Sequence, residues 1–81
     1  MKELNEYIAI AQDMADNDYH INLGMDRKVV TKEADNMVTI AIYCYTLNGK
    51  YKGTYKCGTY NKDTGEYKAG YDVDLDKRSV R

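Results

Sequence analysis

The sequence predicts an α+β fold in which one N-terminal helix packs on an antiparallel β-meander of three to five strands. Two turn motifs, Asn48-Gly49 and Asp63-Thr64-Gly65, separate three strand-like segments. The first part of the chain instead repeats apolar residues at helical spacing. Neither the helix nor the sheet can bury its apolar side alone, so we expect the two to pack together. Residues 1–76 should form a single domain, and the basic tail 77–81 should be frayed.

The predicted helix covers residues 2–17. Its apolar residues recur at three- and four-residue steps and share one stripe, which contains Leu4, Tyr7, Ile8, Ala11, Met14 and Ala15. Three acidic residues, Glu6, Asp13 and Asp16, lie on the opposite face. Segment 1–18 holds five acidic residues and one lysine, so its net charge is −4. The exposed face of this helix is therefore expected to be acidic.

The segment between the helix and the first turn motif is less regular. Apolar and polar residues alternate over 19–25, which predicts a strand with His20 on its outer side. A second short strand could follow over Arg27–Lys32. Residues 32–36 could form a helical turn, because Lys, Glu and Ala favour helix, but a loop is the preferred interpretation.

The Asn48-Gly49 motif predicts a two-residue type I′ turn between strands 37–47 and 50–60. This turn would pair Ile42 with Tyr55 and Ile40 with Cys57. One face is then apolar and contains Val38, Ile40, Ile42, Cys44, Tyr51, Tyr55 and Cys57. The other face carries Tyr43, Tyr45, Lys52, Thr54 and Lys56.

The second motif predicts a three-residue loop, Asp63-Thr64-Gly65, followed by a strand over 66–75. This register places Cys57 opposite Tyr71, and it places two lysines, Lys56 and Lys52, opposite Asp72 and Asp76. A four-residue loop would turn the apolar residues of the last strand to solvent. The three-residue loop is therefore preferred.

Bulk composition excludes several functional classes. The net charge is −1, so no global field attracts nucleic acid or membranes. No segment has the length of a membrane span or the apolar core of a secretion signal, which favours a cytoplasmic protein. Cys44 and Cys57 are four residues out of step across the hairpin, so we expect buried free thiols rather than a disulfide.

No chemistry-bearing motif stands out in the chain. His20 is the only histidine, and its spacing from the two cysteines is not that of a zinc module. The alternating row Asp72, Asp74 and Asp76 is too spread out along a strand for a metal site. A chain this small is also expected to lack a pocket of a few hundred Å³, as a substrate would require. We therefore expect no enzyme activity, no cofactor and no metal.

The favoured function is that of a small protein-interaction module with a basic protein partner. Size, charge and missing motifs, rather than any stretch of residues, make the chain similar to accessory proteins of phages and mobile elements, including anti-CRISPR inhibitors. Such an inhibitor would occupy a basic site on a nucleic-acid-handling complex. The residues predicted to bind this partner are Glu6, Asp13, Asp16, Asp72, Asp74, Tyr43 and Tyr45.

The alternative function is single-stranded nucleic-acid binding by Tyr43, Tyr45, Lys52 and Lys56. Segment 47–62 has a net charge of +4, which supports this alternative. However, segment 63–76 has a net charge of −4 and is expected to lie alongside, where opposite charges would neutralise each other. Nucleic acid is therefore the less favoured partner. The sequence leaves the choice between a monomer and a homodimer open.

Overall fold

A computed structural model of the chain describes residues 2–18, 21 and 26–81. It contains one helix and a four-stranded antiparallel sheet in the order β1-β2-β3-β4, followed by a separate two-stranded sheet formed by β5 and β6. The predicted α+β meander is confirmed. His20 and the strand predicted over 19–25 lie outside the described residues, except for the buried Ile21. The elements are α1 (Leu4–Asn17), β1 (Asp26–Ala34), β2 (Met37–Tyr45), β3 (Tyr51–Asn61), β4 (Tyr67–Ala69), β5 (Val73–Asp74) and β6 (Ser79–Val80).

Helix α1 begins with a capping box, in which the Glu6 carboxylate accepts a hydrogen bond from the backbone N–H of Glu3 at 3.4 Å. Four residues at helical spacing are buried along one stripe, namely Tyr7, Ala11, Met14 and Ala15. This stripe packs on one face of the main sheet, here called the inner face. Val38, Ile40, Ile42 and Cys44 of β2 are buried on the same side.

Strand β1 is longer than the sequence predicts. It continues to Ala34, where the sequence favours a loop over 32–36, and each of its residues has a partner in β2. Only Asp35 and Asn36 form the turn, and Asp35 takes a positive φ of 55°. The helix preference of Lys32, Glu33 and Ala34 is overridden because pairing with β2 satisfies their backbone groups.

The β2–β3 hairpin keeps the predicted register at its centre, where Ile42 pairs with Tyr55. The turn itself differs from the prediction. The Thr46 N–H donates to the Lys50 carbonyl at 2.8 Å, so the loop has three residues and ends at Gly49 with φ 86°. A bulge at Lys52 then adds one residue to β3 and restores the predicted pairing.

A second bulge lies farther along β3. Ile40 pairs with Gly58 rather than with Cys57, so the predicted Ile40–Cys57 pair is wrong. Cys57 is the extra residue in β3 at this bulge, and its side chain is nevertheless fully buried. The inward positions of β3 are therefore Tyr55, Cys57 and Tyr60, which all contact the core.

The β3–β4 loop has four residues rather than three, because Asn61 pairs with Glu66 and Tyr60 with Tyr67. The Asn61 side chain fixes this loop by accepting hydrogen bonds from the N–H groups of Asp63 and Thr64 at 2.9 and 3.1 Å. The parity argument for a three-residue loop fails because the last strand does not run unbroken to residue 75. It ends at Ala69, and a new strand begins at Val73.

The break after Ala69 depends on two glycines that bring backbones into close contact. A Cβ atom on Gly70 would overlap the Lys56 carbonyl and lie 2.6 Å from the Gly58 nitrogen. Beyond Gly70, the Asp72 N–H donates to the Lys56 carbonyl at 3.1 Å, and the Lys56 N–H donates to the Asp72 carboxylate at 2.8 Å. The chain thus turns out of the sheet, and Val73 and Leu75 become buried with the helix stripe. Tyr71, predicted to face Cys57, is instead 85% exposed.

The C-terminal residues differ from the expected frayed tail. Ser79–Val80 pair with Val73–Asp74, and the Arg81 N–H donates to the Asp72 carbonyl at 2.7 Å. Arg78 takes a positive φ of 51° in the connecting turn and forms an ion pair with Asp13 of α1. The β5–β6 hairpin is thereby attached to the helix.

Three tyrosines fill the space between α1, β3 and β4. The rings of Tyr7 and Tyr67 stack with centroids 4.3 Å apart, and Tyr60 contacts Tyr7 at 5.9 Å. The Tyr7 hydroxyl donates to the Asp76 carboxylate at 2.9 Å. The Tyr67 hydroxyl donates to the Cys57 carbonyl and accepts from the Leu75 N–H at 2.9 Å. Both hydroxyls lie at partly buried positions, where these partners replace water.

Replacing Gly70 by alanine should destabilise the fold more than replacing Gly49. The new Cβ at position 70 meets backbone that cannot move aside, which should cost about 2–3 kcal/mol of unfolding free energy. At Gly49 a Cβ has open space and faces only the strain of positive φ, about 1 kcal/mol. Urea unfolding measures both values. An equal loss in the two variants would contradict the proposed contact.

Alkaline pH should weaken the fold through groups whose pKa burial raises. Desolvation, and secondarily the Asp76 carboxylate, raises the pKa of Tyr7 from 10.0 to about 12. The folded protein therefore holds this proton more tightly than the unfolded chain, so the contribution of Tyr7 to stability is full below pH 10.0 and is lost as pH rises toward about 12. The same applies to Cys57, where burial raises the pKa to about 12. Urea unfolding at pH ~8 and ~11 should show a smaller pH-dependent loss for Tyr7→Phe than for the wild type; identical losses would be inconsistent with this assignment.

Candidate functional site: the outer face of the sheet

The face of the main sheet that points away from α1, here called the outer face, contains a groove of about 400 Å³. Its floor is made of small or short apolar residues from all four strands and the segment that follows them, namely Val30, Ala41, Gly58, Ala69 and Gly70. Ala41 is 9% exposed and lies in the groove among longer side chains. The groove has the size of a small-ligand site, contrary to the expectation that the chain lacks one.

Three lysines line the groove, one from each of β1, β3 and β4: Lys32, Lys56 and Lys68. Lys28 also lies on the outer face, because it is spaced by two residues from Val30, and Val30 by two from Lys32, along β1. The described residues form ion pairs at Lys2–Asp76, Lys62–Glu33 and Arg78–Asp13, and none of these three pairs includes a groove lysine. The groove therefore combines an apolar floor with lysines that have no ion-pair partner among the described residues.

The three aspartates expected to neutralise the lysines of β3 form no ion pair with a groove lysine. Asp72 approaches Lys56 as predicted, but its carboxylate binds the backbone N–H and not the ammonium group. Asp74 accepts hydrogen bonds from the N–H groups of Asp76 and Lys77 at 3.0 and 3.4 Å. Asp76 contacts Lys2 and Tyr7 on the helix side, so the predicted pair with Lys52 does not form. The predicted row of three aspartates is divided among these local contacts.

Tyrosine rings stand at two places around the groove. Tyr43 lines it, and Tyr51 contacts Tyr43 and Tyr45 edge-on with centroids 6.0 and 6.1 Å apart. The Tyr51 hydroxyl lies 2.6 Å from Thr54 Oγ1, which fixes the ring near the hairpin end. Tyr71 lines the groove near the point where the chain leaves β4.

Part of the predicted Tyr/Lys face lies at the groove. Tyr43 and Lys56 line the groove as members of the predicted Tyr/Lys face, while Tyr45 contacts the cluster and Lys52 occupies a bulge away from the groove. Lys32, Lys68 and Tyr71 were not among the predicted residues. The two-residue spacing of Lys28, Val30 and Lys32 could have indicated Lys32, since in a strand this spacing places both lysines on one face.

The acidic helix residues are engaged within the chain. Asp13 forms its ion pair with Arg78 and accepts from Asn17 at 2.9 Å. Asp16 accepts from Gln12 at 3.0 Å, and Glu6 belongs to the capping box. These contacts lie at the surface, so the carboxylates keep faces open to solvent.

Neither cysteine is placed for chemistry. Cys44 and Cys57 are free and buried, and burial raises the pKa of both thiols. A high pKa keeps a thiol protonated and poorly nucleophilic. Among residues 2–18, 21 and 26–81, no three His, Cys, Asp or Glu side chains are grouped as metal ligands would be. No helix within the same residues has the length and apolarity needed to cross a membrane.

The fold and the outer face together define the protein as a small α+β domain with a lysine- and tyrosine-lined groove on an open sheet. No protein-family model matches the chain, and no curated protein or solved structure matches it.

Proposed function

We propose that the protein is a non-enzymatic binding module that holds single-stranded nucleic acid against the outer face of its sheet. The observation that carries this proposal is the groove: Lys32, Lys56 and Lys68 surround an apolar floor, and none of the three has an ion-pair partner among the described residues. This is the function that the sequence ranked second.

Single strands suit this surface because their bases are free to stack. Nonspecific single-strand binders combine lysines that follow the phosphates with aromatic rings that stack the bases. Here Tyr43 and Tyr71 supply rings beside the lysines. In a duplex the bases are stacked inside the helix. A duplex could therefore bind the groove lysines through its phosphates, but its bases could not stack on Tyr43 or Tyr71.

The small net charge of −1 does not oppose this proposal. Charges on exposed sites act over a Debye length of about 10 Å at 0.1 M salt. The acidic residues of α1 lie on the inner side, with the core between them and the groove. The charges nearest to the groove are therefore its three lysines and the carboxylate of Asp72 beside Lys56.

Removal of the groove lysines should weaken binding and flatten its salt dependence. We expect Lys56→Gln combined with Lys68→Gln to lower the affinity for a labelled oligothymidylate of about 15 nucleotides roughly tenfold. The slope of log affinity against log salt should fall by about 0.7 for each phosphate that the protein no longer neutralises. Fluorescence anisotropy over a salt series measures both quantities.

Lys62→Gln is the matched control, because Lys62 is already paired with Glu33 at 2.6 Å and lies outside the groove. It should bind the oligonucleotide like the wild type. Absence of wild-type binding at low salt, or equal losses in the control and the double variant, would refute the proposal.

A second candidate is the protein-interaction module that the sequence favoured, an inhibitor of the phage accessory type that occupies a basic site on a nucleic-acid-handling complex. The observation that supports it is the one-sided charge of α1, which has Glu6 in its first turn and no basic residue in its last. Glu6 and Asp16 are exposed, whereas Asp13 is half-buried against Arg78, so the test below changes the two exposed carboxylates.

If the protein is such an inhibitor, the double variant Glu6→Gln, Asp16→Asn should no longer capture its nucleic-acid-handling protein partner. Both changes remove charge and keep a hydrogen-bond acceptor, so the capping box and the Gln12 contact should survive. Affinity capture from the cells that produce the protein, with the wild type and Lys62→Gln as references, measures the effect. Recovery of the same nucleic-acid-handling partner by the charge-neutralised variant would exclude this helix surface.

A further inference from the structure

Tyr71 combines an anchored backbone with an uncovered side chain. Its neighbour Gly70 is held against Lys56 and Gly58, and its other neighbour Asp72 exchanges two hydrogen bonds with the Lys56 backbone. The Tyr71 side chain is nevertheless 85% exposed and lines the groove. The fold therefore fixes the position from which this ring extends and leaves the ring itself without cover.

Among the described residues, three large apolar side chains are strongly exposed: Leu47, Tyr51 and Tyr71. Tyr51 contacts two other rings and Thr54, and Leu47 lies at the tip of the β2–β3 hairpin. Tyr71 is the most exposed of the three, and its side chain makes neither a ring contact nor a hydrogen bond with the part of the chain that the structure describes. It is also the only one of these three residues that lines the groove.

We propose that Tyr71 stacks on one base of the bound strand and closes the groove over that nucleotide. This inference rests on the proposed function and assigns it a specific ring. Lys56 and Lys68 line the groove together with Tyr71. A nucleotide matches this set, because its phosphate can bind the lysines while its base stacks on the tyrosine ring. A volume of about 400 Å³ lies at the lower end of the range for small-ligand sites, which is sufficient for one nucleotide rather than several.

The absence of tryptophan from the sequence makes a direct test possible. Tyr71→Trp places a single indole at the groove, and its fluorescence should be quenched when a base stacks on it. Leu47→Trp is the control, because Leu47 is 80% exposed and does not line the groove. The probes are an oligothymidylate, the same oligomer with abasic sugars in place of its bases, and thymidine monophosphate.

We expect the oligothymidylate to quench Tyr71→Trp strongly and Leu47→Trp weakly, and the abasic oligomer to quench neither. Tyr71→Ala should lower the affinity for the oligothymidylate about 5- to 100-fold, as loss of one stacked base does, and Tyr71→Phe should retain it. Quenching by the monophosphate alone would show that one nucleotide suffices, and it would also support the inference.

Other results would overturn the inference in distinguishable ways. Wild-type binding with an unchanged affinity in Tyr71→Ala would leave the proposed function intact and reject the role of this ring. Equal quenching by the abasic oligomer would show that Tyr71 meets the backbone and not a base. A dimer in light scattering that Tyr71→Ala dissociates would identify a second copy of the chain as the occupant. No wild-type binding would reject the proposed function itself.

Discussion

The backbone contact between Gly70 and β3 is the constraint on which the rest of the structure depends. Because Gly70 has no Cβ, the backbone at residue 70 can pass close to the Lys56 carbonyl, where a side chain would not fit. The chain therefore leaves the sheet after only three residues of β4. The two hydrogen bonds between Asp72 and Lys56 fix the direction of departure. Val73 and Leu75 then enter the core beneath the sheet instead of continuing alongside β3. Without this crossing, the last segment would remain a fourth full-length strand.

The same crossing separates the charges of the protein. Segment 63–76 carries most of the acidic residues that could have neutralised the lysines of β3, with a net charge of −4. Once the chain turns inward, Asp76 contacts Lys2 and Tyr7, and Asp74 stabilises the turn that follows it. The outer face retains lysines from three strands around one apolar floor. A nearly neutral chain thus gathers three lysines on one surface, which net charge alone does not reveal.

The sequence could predict the fold class, the helix stripe and the pairing of Ile42 with Tyr55, because these follow from periodicity and from a strong turn motif. It could not predict the two bulges, since an extra residue in β3 leaves no mark in an alternating pattern until the partner strand is known. The four-residue loop depends on the Asn61 side chain and on the contact of Lys62 with Asn36 of the preceding turn, a pairing between distant residues. The prediction of a neutralised outer face failed because it assumed an unbroken strand from 66 to 75.

The exclusive use of tyrosine for aromatic rings becomes intelligible once the two sides of the sheet are compared. On the inner side, the Tyr7 hydroxyl binds Asp76, and the Tyr67 hydroxyl binds the Cys57 carbonyl and the Leu75 N–H. Phenylalanine at position 67 would leave these two backbone groups of buried residues without that partner. On the outer side, Tyr43, Tyr51 and Tyr71 keep at least part of each ring near solvent, where a hydroxyl lowers the cost of exposure. The inner rings thus hold the β5 segment under the sheet, and that position is what leaves the outer rings and lysines uncovered by the last segment of the chain.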